Sequence, residues 1–196
     1  GRAPYGSLIY DGTFLYGMTT YGGSGQNDWG TIFKIKPDGT GYSKLMDFIE
    51  TVNGGYPYGD LFSDGTLLYG TASYGANYPC PGMIFKINKD GTGFSSLHDF
   101  KDPKDGASPM GSLFYDGTFF YGTTATGGVS GDGSIFKIKK DGSDFSKLID
   151  FQKGVTGINP YGTLIYDGSF LYGTTAIGGT ADAGTVFKLS LKEVGI

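Results

Sequence analysis

Apolar and polar positions alternate in short runs along this chain, and the runs return in the same order four times. The stretch "LIYDGTFLYG" sets apolar side chains on both sides of an Asp-Gly step at Asp11. The pattern recurs around Asp64, Asp116 and Asp167, at spacings of 53, 52 and 51 residues. A second marker, the phenylalanine of "IFKI" or "VFKL", falls at 33, 85, 136 and 187, at spacings of 52, 51 and 51. Two markers that keep step within one residue define a tandem repeat, and a repeat decides the fold before any local propensity does. A third phrase, "KLMDF", "SLHDF" or "KLIDF", occurs three times.

Each copy predicts four short strands. "GSLIYD" and "FLYGMTT" flank Asp11-Gly12, a two-residue hairpin step that asks for positive φ at both central residues. A glycine-rich loop leads to "TIFKIK", and "PDGTG" turns the chain into "YSKLMDF". Strands of six or seven residues are expected. One signal conflicts: Leu45, Phe48, Ile49 and Val52 have helical spacing. Pro103 and Gly154 in the matching segments would break such a helix, so the strand reading is kept.

Four antiparallel strands in a unit of about 52 residues predict an all-β fold, a β-propeller of four tandem blades. The blades span about 4–56, 57–108, 109–159 and 160–196 of a single domain, 1–196, and the last lacks its outer strand. Membership of a larger ring or repeat array is the alternative. Gly6, Gly59, Gly111 and Gly162 recur in "PYG" or "PMG". They predict either close backbone approach at a crowded axis or a turn with positive φ.

Composition sharpens this. The 196 residues include 37 glycines and 8 prolines, which alone would approach a disordered composition. The glycines are periodic, and 15 tyrosines and 15 phenylalanines supply a core that a disordered chain lacks. A net charge of −4 and no basic stripe argue against nucleic acid. No apolar run approaches the roughly 20 residues of a membrane span, so no membrane insertion is expected. No cleavable signal peptide is read in the opening residues, and the abrupt start at "GRAPYG" is expected where one has been removed. Cys80 is the sole cysteine, which rules out an internal disulfide and predicts a free thiol in a loop, with an intermolecular disulfide as the lesser alternative.

The stretch "GTLIYDGSFLYGTTAIGGTADAGTVFKLS" resembles the GloVer-type (Gloeobacter/Verrucomicrobia) bacterial tandem repeat over essentially the whole chain. That resemblance implies propeller-like repeats in secreted or surface-anchored bacterial proteins, with no established catalytic activity. The second copy departs from it at "YGANYPCPGMIF". The fourth stops after "VFKLSLKEVGI".

In an up-and-down blade, the Asp-Gly turns share one face and look purely structural. The opposite face carries the second-to-third-strand loops, of ten, nine, eight and eight residues, and the linkers between blades. Varied loops on a repeated scaffold are where recognition is expected. The candidate ligand-binding residues there are Trp29, Asn27, Asp28, Tyr21, Tyr74, Asn77 and Tyr78. Their rings can stack on a sugar while the amides and the carboxylate bind its hydroxyls. The "PYG" tyrosines Tyr5, Tyr58 and Tyr161 are read as plugs between blades.

Chemistry is weakly signalled. Zincin, nucleophile-elbow and P-loop motifs are missing. His98 replaces Met46 and Ile149 at one strand position, which makes it a strand residue. Neither catalytic residues nor a metal site nor a cofactor is expected; an ion on the axis, held by backbone groups of the glycine ring, is the exception entertained. Lys34, Lys86, Lys137 and Lys188 are expected to pair with Asp47, Asp99 and Asp150. The resulting expectation is a non-enzymatic, extracellular or cell-surface binding module for a glycan or other surface ligand. One alternative is a structural subunit that self-associates through the open outer edge of the last blade. Another is a hydrolase or lyase using loop carboxylates such as Asp28 or Asp132.

Overall fold

A computed structural model describes residues 1–24, 28–76 and 81–192. The first sheet holds β1 (Ile9–Tyr10), β2 (Leu15–Thr19), β3 (Thr31–Ile35) and β4 (Ser43–Asp47), followed by one helical turn, α1 (Glu50–Asn53). The second sheet holds β5 (Phe62–Ser63), β6 (Leu67–Ala72), β7 (Met83–Asn88) and β8 (Ser95–Asp99). Next come β9 (Phe114–Tyr115), β10 (Phe119–Thr124), β11 (Ser134–Lys139) and β12 (Ser146–Asp150). Among the described residues the fourth sheet has three strands, β13 (Ile165–Tyr166), β14 (Phe170–Thr175) and β15 (Thr185–Ser190). Every sheet is antiparallel, with strands in sequence order. The chain divides into two compact units, Gly1–Asp99 and Phe100–Ile196, each with two sheets.

In the first unit the two sheets share one core: Tyr16, Met18, Ile32 and Phe48 from the first, Leu61, Leu68, Met83 and Phe85 from the second. In the second unit Tyr121, Ile135 and Phe151 meet Leu164 and Leu171 in the same way. The "DF" phenylalanine is the latch. Phe48 is fully buried and stands edge-on to Phe85 at 5.6 Å. Phe151 does the same to Phe187 at 5.1 Å. A bulge interrupts each fourth-strand pairing, as between Ile32 and Phe33.

Local chemistry differs from expectation in four places. First strands are two residues long, because Tyr10 pairs with Leu15 across a four-residue turn. Only Gly12 in that turn has positive φ; Asp11 instead accepts the Thr13 and Phe14 N–H groups on Oδ1, at 3.0 and 2.9 Å. Among the described residues, helical backbone is confined to α1, where Asn53 accepts the Ile49 N–H and donates to the Asp47 C=O. The Lys–Asp ladder does not form: Asp47 pairs with Lys44 and Asp150 with Lys147, at 2.7 and 2.8 Å. Lys34 lies over the Phe14 ring and Lys137 over Phe119. The fourth-strand lysine reaches the carboxylate within its own strand, and the third-strand lysine finds an aromatic face instead.

The recurrent glycines are resolved in favour of close approach. A Cβ on Gly6 would stand 2.4 Å from Gly59 O, and one on Gly111 2.7 Å from Gly162 O. None of the four has positive φ.

The second-strand tyrosines close each Asp turn. Tyr16 Oη donates to Asp11 Oδ2 at 3.0 Å, and Tyr69, Tyr121 and Tyr172 repeat the bond to Asp64, Asp116 and Asp167. Burial, then the bonded carboxylate, pushes the Tyr16 hydroxyl from 10.0 up to about 12. The unfolded chain loses this proton near its ordinary value while the folded chain keeps it. Stability is therefore complete below that value and falls as pH rises through the interval. Urea denaturation from about pH 9 to about pH 12 should cost wild type roughly 2–3 kcal/mol more than Tyr16→Phe. Equal losses in the two proteins would refute the assignment.

Candidate functional site

In the first unit the loop face carries a continuous run of rings. Tyr5 stacks on Tyr58 with centroids 5.7 Å apart. Tyr58 Oη lies 3.4 Å from Tyr21 Oη. Tyr21 meets Tyr56 edge-on at 5.4 Å, Tyr56 lies 4.6 Å from Trp29, and Trp29 is 5.7 Å from Tyr74. The two ends of the run are open, with Tyr5 66% and Tyr74 44% exposed.

Backbone pairing sets these positions. Tyr21 exchanges two hydrogen bonds with Arg2, and Tyr74 does so with Gly55, one repeat later. Tyr56 N–H donates to Trp29 C=O at 2.8 Å. Tyr56 has φ of 55°, unusual for a bulky residue, but Ala3, Ser108 and Asn159 share this geometry ahead of their prolines. The strain belongs to the repeat. The choice of tyrosine does not, and it places a ring between Tyr21 and Trp29. Gly55 leaves room for Trp29, since a Cβ there would come within 2.8 Å of Trp29 Cβ.

Charge sits at one margin. Arg2 pairs with Asp28 and lies over the Tyr21 ring, 5.6 Å from its centroid. Asp28 also accepts the Gly22 N–H. The Arg2 bond, then that N–H, holds the Asp28 carboxyl below its usual range. Burial, then the bond to Tyr21, pushes the Tyr58 hydroxyl up to about 12. Tyr58 therefore stays neutral at physiological pH, and the run offers apolar faces and hydroxyl tips.

The second unit has the same backbone and other side chains. Thr126 and Ile177 take the places of Tyr21 and Tyr74, Asp132 that of Trp29, and Asn159 that of Tyr56. The turn face there is less plain than expected. A cleft of about 330 Å³ is lined by Asp116, Phe119, Tyr121, Tyr166, Leu191 and Lys192, among others. In the first unit Lys89 crosses the matching place to bond Asp11 at 3.0 Å. In the fourth repeat that position is Leu191, so the crossing is not made.

A family model described as the Gloeobacter/Verrucomicrobia repeat matches residues 63–195. The chain belongs to this family. Five of the six rings precede the matched range, with only Tyr74 inside it. Among curated proteins none matches. The solved nidogen/laminin complex is similar with a TM-score of 0.66 at 19% identity, over 98% of this chain and 62% of that one. A putative TolB from Agrobacterium tumefaciens gives 0.57 at 15%, over 92% and 58%. An oligogalacturonate lyase in complex with manganese gives 0.56 at 14%, over 97% and 51%. Likenesses this distant establish the fold alone, a β-propeller, and the chain spans less than two thirds of each of these neighbours.

Of the family member's sequence-derived site residues, Tyr21, Trp29 and Tyr74 come together and Asp28 stands beside them. Asn27, Asn77 and Tyr78 lie outside the described residues, as does Cys80. Sequence reasoning set Tyr5 and Tyr58 aside as plugs and overlooked Arg2. Tyr58 is half-buried while Tyr5 is open, so the plug reading suits one of the two. Only the pairing of residue 2 with residue 21 brings Arg2 to the site, and no motif signals it. His98 lies on β8 opposite Ile84, as a strand residue should. Among the described residues, no three His, Cys, Asp or Glu side chains gather as a metal site.

Proposed function

We propose that the protein is a non-enzymatic binding module of the extracellular space or cell surface, and that it holds a carbohydrate against the aromatic run of its first unit. The observation that carries this reading is the asymmetry between units: one backbone, repeated, bears Tyr21, Trp29, Tyr56 and Tyr74 in one unit and Thr126, Asp132, Asn159 and Ile177 in the other. Packing alone would ask for rings in both. Hydroxyl tips and open ring faces suit a polyhydroxylated ligand with apolar C–H faces. The localisation follows the family resemblance. The carboxylates considered for hydrolysis are otherwise engaged, Asp28 by Arg2 and Asp132 by the Lys153 N–H at 3.0 Å.

Isothermal calorimetry with cellohexaose, xylohexaose and oligogalacturonate, preceded by a glycan array, tests the proposal. At least one glycan should bind wild type, and Trp29→Ala should weaken it roughly 30-fold, as truncation of a buried aromatic anchor does. Binding unchanged in folded Trp29→Ala and Tyr74→Ala, or no binding across the array, would overturn it.

A further inference from the structure

One contact on the turn face is made in the first unit and missing from the second. In the first unit Tyr16 Oη donates to Asp11 Oδ2 at 3.0 Å, and the Phe14 and Tyr16 rings meet edge-on, 6.4 Å apart at 63°. Lys89, just after β7, fills the place that these groups frame. Its ammonium donates to Asp11 Oδ2 at 3.0 Å and stands 5.6 Å from the Tyr16 ring centroid. A carboxylate and a ring face are thus presented together, and both favour a cation.

The second unit keeps the receiving half and lacks the lysine. Tyr121 Oη donates to Asp116 Oδ2 at 3.0 Å, and Phe119 meets Tyr121 edge-on, again 6.4 Å apart at 63°. Asp116 Oδ1 serves the Thr118 and Phe119 N–H groups, as Asp11 Oδ1 serves Thr13 and Phe14. Leu191 stands where the first unit has Lys89 and is buried in the core cluster that includes Tyr121. The cleft of about 330 Å³ opens at this place. Tyr166, at the position of Ser63, gives it a further aromatic wall. Among the described residues no lysine or arginine pairs with Asp116. Two like charges stand near. Lys137 lies over Phe119 as Lys34 lies over Phe14, and Lys34 does not keep Lys89 from Asp11. Lys192 lines the cleft at the position of Asp90, where its charge opposes a cation.

We propose that this cleft binds a primary alkylammonium group, carried by a free amine or by a lysine side chain. The nitrogen donates to Asp116 Oδ2 above the Tyr121 ring, and the alkyl chain lies along Phe119, Tyr166 and Leu191. The first unit identifies the occupant, because there the same carboxylate, hydroxyl and pair of rings hold the ammonium of Lys89. The cleft lies wholly within the second unit and owes nothing to the aromatic run of the first.

The test is a nitrogen-15 chemical-shift titration with n-butylammonium chloride, whose cation is a lysine side chain without its backbone. At constant ionic strength and up to ~100 mM, the range of a single ion-paired group, the Gly117, Thr118 and Phe119 amides should shift and saturate. n-Butanol, similar in shape and uncharged, should leave them in place. Asp116→Asn keeps an acceptor for the turn and should weaken binding at least about 10-fold. Lys192→Ala should tighten it. Lys89→Ala opens the equivalent place in the first unit and should add a saturable shift at Gly12 and Thr13; it decides the matter should Asp116→Asn unfold. Nα-acetyl-lysine methylamide separates the sources: tighter binding than n-butylammonium marks a polypeptide lysine, and equal or weaker binding marks a free amine. No saturable shift in wild type, an equal response to n-butanol, undiminished binding by folded Asp116→Asn, or no new site in Lys89→Ala would each overturn the proposal.

Discussion

Phe48→Ala is expected to lower the free energy of unfolding by about 3–5 kcal/mol, the range for removing a fully buried phenylalanine. The ring is completely enclosed, stands edge-on to Phe85 at 5.6 Å and lies 6.4 Å from Phe94, with an interplanar angle of 88°. Its backbone N–H also donates to Gly30 C=O at 2.9 Å. Truncation therefore opens a cavity between two sheets that touch chiefly through side chains, and neither sheet can close in without breaking its own ladder. Trp29 is the sole tryptophan and belongs to the same unit, so its fluorescence during urea denaturation follows the event. A loss below about 1 kcal/mol would show that Phe48 is dispensable as a latch. Phe151→Ala should behave likewise in the second unit, where the ring stands 5.1 Å from Phe187.

A second large effect is expected from Gly30→Ala, and Gly12→Ala is its control. Both glycines have positive φ, 103° and 96°. A Cβ at Gly12 would meet nothing within 4 Å, whereas at Gly30 it would stand 2.3 Å from Thr19 O and 2.8 Å from Thr20 O. Gly12→Ala should cost about 1–3 kcal/mol of backbone strain. Gly30→Ala should carry that strain and a further 1–3 kcal/mol or so, because a backbone carbonyl cannot rotate aside as a side chain can. The displaced segment includes Trp29, so glycan binding should fall in Gly30→Ala and remain intact in Gly12→Ala. Equal destabilisation by the two substitutions would mean that the carbonyl contact relaxes freely.

Particular residues show where sequence reading succeeded and where it stopped. Two markers held in step by 51 to 53 residues are enough for the repeat, its four sheets and the short last one, because equivalent strands must present equivalent faces. The Asp-Gly turns were located correctly but their mechanism was not. The carboxylate of Asp11 serves two N–H groups and the Tyr16 hydroxyl, and so replaces the positive φ that a two-residue turn would need at Asp11, while Gly12 keeps its own. The Lys34–Asp47 pairing failed because residue type shows which charges recur and not which ones the bulge after Ile32 brings together. The site was legible in part: the loop face was found and Trp29, Tyr21 and Tyr74 were named. Tyr56, which joins them, sits in a linker of ordinary composition.

By itself the sequence determined the periodic elements, since alternation, turn residues and spacing are local and each repeat restates them. Tertiary structure alone decided which residues of different repeats meet: Gly6 against Gly59 and Phe48 against Phe85. Such contacts depend on how neighbouring sheets lie against each other. A slide of one sheet over the next would exchange every such pair while leaving each sheet's own ladder and hydrophobic pattern intact.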